Sequence, residues 1–528
     1  MGVIRPGVNI TKKISLVVLS NIIYNTISIH EGDKWMKPNI IYILADDMGY
    51  GDLSCLNEDS KIKTRHLDRV ASEGIIFTDA HSSSAVCTPS RYSILTGRYN
   101  WRSRLKKHVL FGYDSHLIED GRMTVASLLQ QNDYHTACIG KWHLGLDWAK
   151  SEESSDGVDY TQPIKNGPVN FGFDYFYGIS ASLDMPPYVY IENDRATQVP
   201  DRMTKNEGKK FWREGPTAPD FIHEEVLPKL TEKALEKIDE MSDSPFFIYF
   251  PLPAPHTPIV PSVEFQGKSG TNEYGDFVLM CDDVVGQIMR KLDEKGISEN
   301  TILIYTSDNG CSPTADYREL AQVGHNPSYV FRGHKADIYE GGHRIPLLVR
   351  WPERIKAQSV SDEPVCLVDF MATMAEIIGA RLPDHAGEDS VSNLPVWRGQ
   401  MLNQPVREAI VHHSIDGSFS IRQGNWKLEL CAGSGGWSDP KPGQEPAGTS
   451  PIQLYDLSAD IGERRNVCDL HPEIVERLKL LLQQYITDGR STPGAPQSNT
   501  EGPEDRTPDW MVAELKHPMT MHEENDHK

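Results

Sequence analysis

Four short apolar segments, each followed at once by polar residues, constrain the fold of this 528-residue chain more than any other feature. They are rich in β-branched and aromatic residues, as is typical of strands buried on both faces of a parallel sheet. The predicted strands cover residues 39–44, 135–139, 245–250 and 301–306, with a fifth at 344–349. Helices are predicted at 67–74, 124–131, 220–241 and 272–295. Strands that alternate with helices predict an α/β fold whose mainly parallel central sheet is covered on both faces.

Polar residues at the ends of four of these strands predict one shared site. Ligands of open α/β sheets bind beyond the carboxyl ends of the parallel strands. The residues concerned are Asp46, Asp47, Lys141, His143, His256, Asp308 and Asn309. The acidic and amide members offer only oxygen ligands, which suits a hard cation such as calcium better than zinc. Singly, an Asp-Asp pair also fits solvated surface and Asp-Asn-Gly a turn, but an unpaired carboxylate after a buried strand is costly.

A cysteine lies at the predicted start of a short helix. Cys87 comes just ahead of Pro89, and Gly97 can end the helix. The free N–H groups and the dipole at a helix N-terminus favour an anion, and Arg91 lies one turn further on the same face. This arrangement fits a nucleophile placed to meet an anionic group, and it also fits an ordinary buried cysteine beside a helix.

Charge and cysteine usage exclude several classes of protein. The net charge of −22 argues against nucleic acids and acidic membrane surfaces as partners, so an anionic substrate needs a local positive pocket. The eight cysteines are widely spaced without a C-x-x-C pair, which argues against a zinc site or a disulfide scaffold. No segment is long and apolar enough to span a bilayer. Residues 10–29 hint at a signal peptide but lack a clear cleavage site.

The length of the chain and the changes in composition along it predict two domains with flanking segments. Residues 1–35 are interpreted as an N-terminal extension, 36–395 as the catalytic domain, 396–490 as a small α+β domain, and 491–528 as a loosely ordered polar tail. In the small domain, a hairpin at 419–430 turns at Gly424-Asn425, a Gly/Pro/Ser-rich loop covers 432–450, and a helix covers 472–487. The polar and aromatic stretch 147–217 is predicted to be a long binding loop.

The motifs, taken in order over about 38–395, resemble the type I sulfatase family. They are Ala-Asp-Asp-Met-Gly-Tyr-Gly-Asp at 45–52, Cys-Thr-Pro-Ser-Arg at 87–91, Gly-Lys-Trp-His-Leu-Gly at 140–145, Pro-His-Thr-Pro at 255–258 and Ser-Asp-Asn-Gly at 307–310. The resemblance implies an alkaline-phosphatase-like sandwich fold and hydrolysis of sulfate esters. It also implies that a maturation enzyme oxidises Cys87 to formylglycine. One calcium ion would be bound by Asp46, Asp47, the modified Cys87, Asp308 and Asn309.

The same resemblance implies a role for each catalytic candidate. Arg91 and Lys141 would hold the hydrated aldehyde, and His143 would take a proton from it. Lys335, within the segment Arg332–Gly342, and His256 would bind sulfate oxygens, with His256 the proton donor to the leaving group. His334 stands where the family often has a small residue, which makes it a candidate substrate contact.

Three functions remain open from the sequence. The first is an exo-acting sulfatase of sulfated carbohydrates, for which the segment 183–188 resembles enzymes acting on 6-sulfated galactose or N-acetylgalactosamine. The second is a related phosphate or phosphonate ester hydrolase. The third is a non-catalytic protein that binds sulfated glycans and keeps Cys87 unmodified. The resemblance favours a periplasmic or secreted location, and the weak signal segment leaves a cytoplasmic one open.

Overall fold

The structure is a computed structural model that describes residues 36–500. The predicted signal segment at 10–29 and the final part of the polar tail lie outside the described residues. From Pro38 onward the described chain forms one compact unit. Among residues 36–500, no helix combines the length and apolar character needed to cross a bilayer.

Eighteen strands and ten α-helices make up the described chain. The strands are β1 (Asn39–Ala45), β2 (Ile75–Phe77), β3 (Ala80–His81), β4 (His135–Lys141), β5 (Tyr175–Ile179), β6 (Ile191–Glu192), β7 (Arg195–Ala196), β8 (Arg202–Asn206), β9 (Trp212–Thr217), β10 (Phe246–Pro251), β11 (Thr301–Ser307), β12 (Leu347–Arg350), β13 (Ser359–Ser361), β14 (Val365–Cys366), β15 (Ile410–His413), β16 (Phe419–Gln423), β17 (Trp426–Glu429) and β18 (Gln453–Asp456). The helices are α1 (Arg65–Ser72), α2 (Cys87–Thr96), α3 (Val125–Gln130), α4 (Val226–Met241), α5 (Glu273–Lys295), α6 (Tyr317–Gln322), α7 (Glu340–His343), α8 (Phe370–Ile378), α9 (Leu394–Trp397) and α10 (Pro472–Thr487).

The main sheet has ten strands in the order β13-β2-β12-β11-β1-β10-β4-β5-β6-β7. Its centre, β11-β1-β10-β4-β5, is parallel throughout, and the predicted strands at 39–44, 135–139, 245–250 and 301–306 form four of these five. The side chains of β1, β10 and β11 are all buried, as the apolar segments predict. The mainly parallel α/β sheet is therefore confirmed.

Helices cover this sheet in two groups, as the predicted sandwich requires. Helices α1, α4 and α5 pack together, and α2, α3 and α8 form a second group, while α4 and α3 both contact β4. The sheet lies between the two groups. Helix α2 is buried along its whole length, which is unusual for a helix that covers a sheet and places Cys87 inside the molecule.

The predicted fifth strand forms, but it is antiparallel to its neighbour β11 rather than parallel. It covers Leu347–Arg350 and pairs antiparallel with β11. It begins three residues later than predicted because Arg344, directly after α7, pairs with His81 in an isolated bridge, and 345–346 are irregular. Strands β6 and β7 are also antiparallel, whereas the edge pair β13–β2 is parallel, so the sheet is mixed outside its parallel centre.

The stretch 147–217 is not the structureless loop that its polarity predicts. It contributes β5, β6 and β7 to the edge of the main sheet, and β8 and β9 form a separate antiparallel hairpin. These strands are short, and β8 is exposed at most positions, so they lack the apolar runs that mark the buried strands.

The C-terminal region holds a four-stranded antiparallel sheet, β15-β16-β17-β18, with α10 against it. The predicted hairpin is confirmed, and Gly424 takes the left-handed conformation (φ 57°) that the turn needs. The buried side chains between sheet and helix also contact Tyr99 and Trp101, just after α2. These elements lie within the predicted small domain 396–490, whose boundaries remain a prediction.

The start of the predicted loose tail is held by hydrogen bonds. The Ser498 carbonyl accepts from Arg98, and the Asn499 side chain accepts from Arg102. Both arginines lie just beyond α2 and are fully buried. Composition alone could not show these partners, since they lie about 400 residues away in the sequence.

Candidate active site

The carboxyl ends of the central strands meet where the sequence predicts a shared site. Strands β1 and β11 are parallel and in register to their last residues, Ala45 opposite Ser307. The next residues, Asp46 and Asp308, therefore lie side by side. A Cβ at Gly310 would lie 1.9 Å from the Gly341 carbonyl oxygen, so this turn needs glycine.

Cys87 is the first residue of α2 and is only 2% exposed. The helix begins two residues earlier than the position of Pro89 predicts, and it ends as predicted at Gly97, whose φ is 64°. The carbonyl of Ala85 accepts a hydrogen bond from the Ala336 N–H at 2.8 Å. This bond ties the segment before Cys87 to the segment that carries Lys335.

Alternating charges line the pocket beside Cys87. Lys141 Nζ lies 2.6 Å from Asp46 Oδ2, and Lys335 Nζ lies 2.7 Å from Asp47 Oδ1. Arg91 donates to Asp308 Oδ2 through Nε at 3.0 Å and Nη2 at 2.7 Å. These side chains are at most 7% exposed, so each charge is balanced by a neighbour rather than by water.

The surroundings hold the carboxyl groups at different pKa values. Burial alone would raise the pKa of Asp46, but Lys141, His256 and Arg91 hold that pKa well below its usual range. Burial and the neighbouring Asp46 raise the pKa of Asp308 to about 6 in spite of Arg91. Carboxyl groups crowded in this way favour a bound cation, which would relieve their repulsion.

The Cys87 thiol is unsuited to act as a thiolate nucleophile. Burial raises its pKa to about 12, outweighing the nearby ammonium groups of Lys141 and Lys335. Reactive cysteines instead have a lowered pKa. The surroundings of Cys87 therefore favour the neutral thiol.

The donor set fits a hard cation. Single ligand atoms of Asp46, Asp47, Cys87 and His256 lie within 4.8 Å of one another. Asp46 Oδ1 and Asn309 Oδ1 are buried and accept no hydrogen bond from any described residue. These two oxygens lie beside further carboxylates and match the preference of calcium for oxygen ligands, although Asp46 Oδ1 also lies 3.5 Å from Arg91 Nη2. The Cys87 sulfur occupies the position that an oxygen of the expected formylglycine would take.

The two histidines are held so that each leaves one ring nitrogen free. His143 Nε2 lies 2.7 Å from the Leu110 carbonyl oxygen, so it carries the proton, and Nδ1 is a buried lone pair without a described partner. Burial first, then Lys141 and Arg91, lower the pKa of His143 well below its usual value. His256 Nδ1 lies 2.6 Å from the Thr257 carbonyl oxygen, which leaves Nε2 facing Asp47 Oδ2 at 3.6 Å.

The structure brings all the predicted catalytic and metal-binding residues together. His334, the predicted substrate contact, is instead hydrogen-bonded within the protein. His334 Nε2 lies 3.1 Å from Ser438 Oγ, and Nδ1 lies 2.9 Å from the Lys335 carbonyl oxygen. Both ring nitrogens are therefore engaged within the protein. His334 joins the Lys335 segment to the C-terminal region rather than offering a free nitrogen to substrate.

Two neighbours of the site escaped the sequence analysis. Leu110 orients His143 through a backbone carbonyl, which no side-chain pattern reveals. Arg213 forms an ion pair with Asp184, whose Oδ1 lies 4.0 Å from His256 Nδ1. Asp184 lies within the segment 183–188 that carries the family resemblance, whereas Arg213 lies in the hairpin β8–β9 without any motif.

Several known proteins are similar to this chain in sequence and architecture. Residues 38–380 match the Sulfatase family, and residues 333–429 match the family described as N-sulphoglucosamine sulphohydrolase, C-terminal. An N-acetylgalactosamine-6-O-sulfatase of Bacteroides thetaiotaomicron is 34% identical over 497 residues, covering 86% of this chain and 94% of the relative. The N-acetylgalactosamine-6-sulfatase of Mus musculus is 29% identical over 491 residues, covering 88% of each.

A solved structure agrees with these relatives. It comes from Bacteroides thetaiotaomicron and is described under the metabolism of multiple glycosaminoglycans. It superposes with a TM-score of 0.74 at 33% identity, covering 85% of this chain and 99% of that chain. The family match spans well over half of the sequence, and the residues of its motifs meet in one buried pocket. This chain therefore belongs to the sulfatase family, with the alkaline-phosphatase-like fold, and is a sulfuric ester hydrolase.

Proposed function

We propose that this sulfatase removes 6-sulfate groups from galactose-configured sugars, above all N-acetylgalactosamine, at the ends of sulfated glycans. Two relatives are named for N-acetylgalactosamine 6-sulfate, and the similar solved structure is described under glycosaminoglycan metabolism. Cys87 is only 2% exposed, so the sulfate must enter an enclosed pocket. Such a pocket suits a terminal sugar better than one inside a chain.

The observation that carries the proposal is the meeting of cations, carboxylates and two oriented histidines around Cys87. Lys141 and Lys335 supply positive charge in a protein whose net charge is −22. An anionic sulfate ester needs such a local positive pocket. Fixed charges in a buried site also stabilise charge that develops in a transition state.

In the proposed mechanism, residue 87 acts as a hydrated formylglycine with two hydroxyl groups on one carbon. The oxygen of one hydroxyl gives its proton to a neighbouring carboxylate and forms a bond to the sulfur of the ester, and the bond from sulfur to the sugar oxygen breaks. That sugar oxygen takes a proton from Nε2 of protonated His256. Arg91 and Lys141 hold the reacting residue in place. The step is covalent catalysis, which divides one difficult displacement into two easier ones.

His143 completes the cycle. Its free Nδ1 takes the proton of the second hydroxyl, the bond between carbon and the sulfate oxygen breaks, and sulfate leaves as the aldehyde reforms. Addition of water then restores the two hydroxyls. The hydrogen bond from Nε2 to Leu110 keeps Nδ1 available as the base.

We infer that one calcium ion belongs to the working enzyme. Asp46, Asp47, Asp308, Asn309 and the modified residue 87 would hold it. When bound, it would act as a Lewis acid towards the sulfate group and balance the crowded carboxylates. Maturation requires a formylglycine-generating enzyme as a transient partner. A periplasmic or secreted location, which the family resemblance favours, remains a prediction, and the weak signal segment lies outside the described residues.

Turnover measurements test the proposed specificity. We expect release of sulfate from N-acetylgalactosamine 6-sulfate with kcat/KM at least about tenfold above that for the 4-sulfate and for N-acetylglucosamine 6-sulfate, since a site that binds a hydroxyl group discriminates strongly. Faster release from either competitor would overturn the proposed sugar.

Comparison of an aryl sulfate with the matching aryl phosphate tests the reaction class. The Cys-Thr-Pro-Ser-Arg run and a single cation site favour the sulfate. Preferential phosphate turnover would instead support the related phosphate or phosphonate ester hydrolase.

A further inference from the structure

Arg213 is held beside the active site by one side of its guanidinium group. It lies on β9, and its Nη1 donates to the Asp184 side chain and, at 3.1 Å, to the Asp184 carbonyl. Its own backbone N–H also donates to that carbonyl, at 3.2 Å. The backbone is fixed further because Tyr188 donates its hydroxyl to the Arg213 carbonyl at 2.7 Å.

The other side of the same guanidinium group is unused. Within residues 36–500, neither Nε nor Nη2 of Arg213 donates a hydrogen bond, and the side chain is 42% exposed. Nε and Nη2 form the edge of arginine that binds a carboxylate or sulfate through two parallel hydrogen bonds. The arginine therefore presents a preformed fork to the solvent.

Two aromatic rings flank this fork. The centre of the guanidinium lies 5.5 Å from the ring centroid of Phe111 and 5.5 Å from that of Phe211. Both rings are partly exposed, at 48% and 39%. Apolar walls around a cation lower its access to water, which strengthens its attraction for an anion.

The position of Arg213 places this fork at the mouth of the sulfate pocket. Phe111 follows Leu110, whose carbonyl holds His143. Asp184, which holds Arg213, has its Oδ1 4.0 Å from Nδ1 of His256. Arg213 is thus linked to His256 through one residue, Asp184, and to His143 through two, Phe111 and Leu110.

We propose that Arg213 binds a second anionic group of the substrate, a carboxylate or a sulfate, on the sugar unit next to the one that loses its sulfate. The inference rests on the carbohydrate substrate proposed above and adds a subsite to it. Asp184 neutralises part of the charge of Arg213. The proposed attraction for the substrate anion therefore depends mainly on the geometry of the two hydrogen bonds that Nε and Nη2 would donate to it. The proposal makes Arg213 a determinant of substrate choice rather than of bond cleavage.

The test compares the Arg213→Gln variant with the wild type on three substrates. They are an aryl sulfate, a 6-sulfated disaccharide whose second sugar is a uronate, and the same disaccharide with a neutral second sugar. We expect kcat/KM for the uronate substrate to fall about tenfold more than for the aryl sulfate or the neutral disaccharide. A fourth disaccharide, with a second sulfate in place of the carboxylate, shows which anion is preferred.

The variant Arg202→Gln is the matched control. Arg202 lies on the same hairpin and pairs with Asp201 through an exposed ion pair, so all four rates should match those of the wild type. Arg213→Lys keeps the charge but loses the fork and should recover only part of the loss. Equal losses on every substrate would mean that Arg213 acts through Asp184 and His256, and no selective loss would mean that the fork is not used. Either result overturns the proposal, whereas an inactive wild type on aryl sulfate would contradict the proposed function itself.

Discussion

Asp308 remains buried beside other carboxyl groups because Arg91 grips one of its oxygens with two nitrogens. The pairing was not predictable in this form, since the sequence predicted Asp308 as a metal ligand and Arg91 as a contact of residue 87. Both side chains are fully buried, so neither could be left alone without a large cost. Asp308 thus neutralises Arg91 and is also a ligand of the proposed cation site.

Two substitutions of Asp308 should separate these tasks. Asp308→Ala leaves Arg91 short of its partner and should lower the free energy of unfolding by about 3–5 kcal/mol. Asp308→Asn keeps an acceptor for Arg91 and should cost less. Urea denaturation with a chelator measures both. In addition, the wild type should gain stability from calcium, and Asp308→Asn should gain much less. An equal gain in both proteins would contradict the proposed cation site.

His143 is predicted to act as a neutral base over an unusually wide range of pH. Since its pKa is lowered well below the ordinary value, it stays unprotonated at pH values where an ordinary histidine would be charged. The acid-side fall in kcat should therefore lie below about pH 6.5, the ordinary histidine pKa. His143→Ala should lower kcat by roughly 10²–10⁴-fold. A fall in wild-type kcat centred above pH 6.5 would conflict with this role.

At the level of elements, helix α2 is where local sequence and tertiary packing agree. Gly97 ends the helix with φ 64°, and an added Cβ would lie 2.9 Å from the Gly387 Cα and 3.0 Å from the Met371 Cβ. The sequence predicted the end of this helix because a glycine follows the last turn. It could not predict the crowding, which comes from residues about 280 positions away.

Gly97→Ala and Gly379→Ala form a matched pair. Gly379 ends α8 with φ 69°, but nothing lies within 4 Å of an added Cβ. Gly379→Ala should cost about 1–2 kcal/mol, the cost of the left-handed conformation alone. Gly97→Ala should cost more and should also lower sulfatase activity, because it shifts the helix that begins at Cys87. Equal losses of stability by thermal or urea unfolding would show that the contacts at Gly97 are easily relieved.

The central strands were predicted correctly because their side chains are almost all buried and therefore mostly apolar. The strands β1, β10 and β11 are buried throughout, and β4 is buried from Thr136 onward, so their positions and the polar residues after them could be predicted from the sequence. The edge strands β6 and β7 and the separate hairpin β8–β9 are short and only partly buried, and this stretch was predicted to be a loop. Arg213 belongs to this poorly predicted part, which is why the sequence did not reveal it.

At the scale of the whole molecule, a buried cluster of histidines joins the catalytic part to the C-terminal sheet. His81 Nδ1 lies 3.0 Å from His343 Nδ1, and the rings of His343 and His412 stack with centroids 3.7 Å apart. Lys427 of β17 donates to Glu463 at 2.6 Å and lies 3.1 Å from His343 Nε2. Single polar residues scattered over more than 300 positions could not be predicted to meet in this way.

This cluster predicts that acid destabilises the protein. Burial is the main cause that lowers the pKa of His81, His343 and His412. The unfolded chain then binds protons near pH 6.5 that the folded chain does not, so stability falls as the pH drops below about 6.5. Each histidine adds up to about 1.4 kcal/mol per pH unit to the slope. Urea unfolding between pH 7 and 5 measures it.

Variants of two histidines check the source of this slope. His412→Gln should reduce the pH dependence of unfolding, because it removes one group that gains a proton only on unfolding. His135→Gln, at an exposed position on β4, should leave the slope unchanged. Identical slopes in His412→Gln and the wild type would assign the acid sensitivity to other groups.

Residue 87 is the most critical group of the proposed mechanism, because every step starts from an oxidised side chain at the first position of α2. Mass spectrometry of the peptide that contains this residue, from protein made in its native host, tests the claim directly. We predict the mass of an aldehyde or its hydrate in place of the thiol. An unmodified cysteine in active protein would contradict the mechanism, and one in inactive protein would favour a sulfated-glycan-binding role.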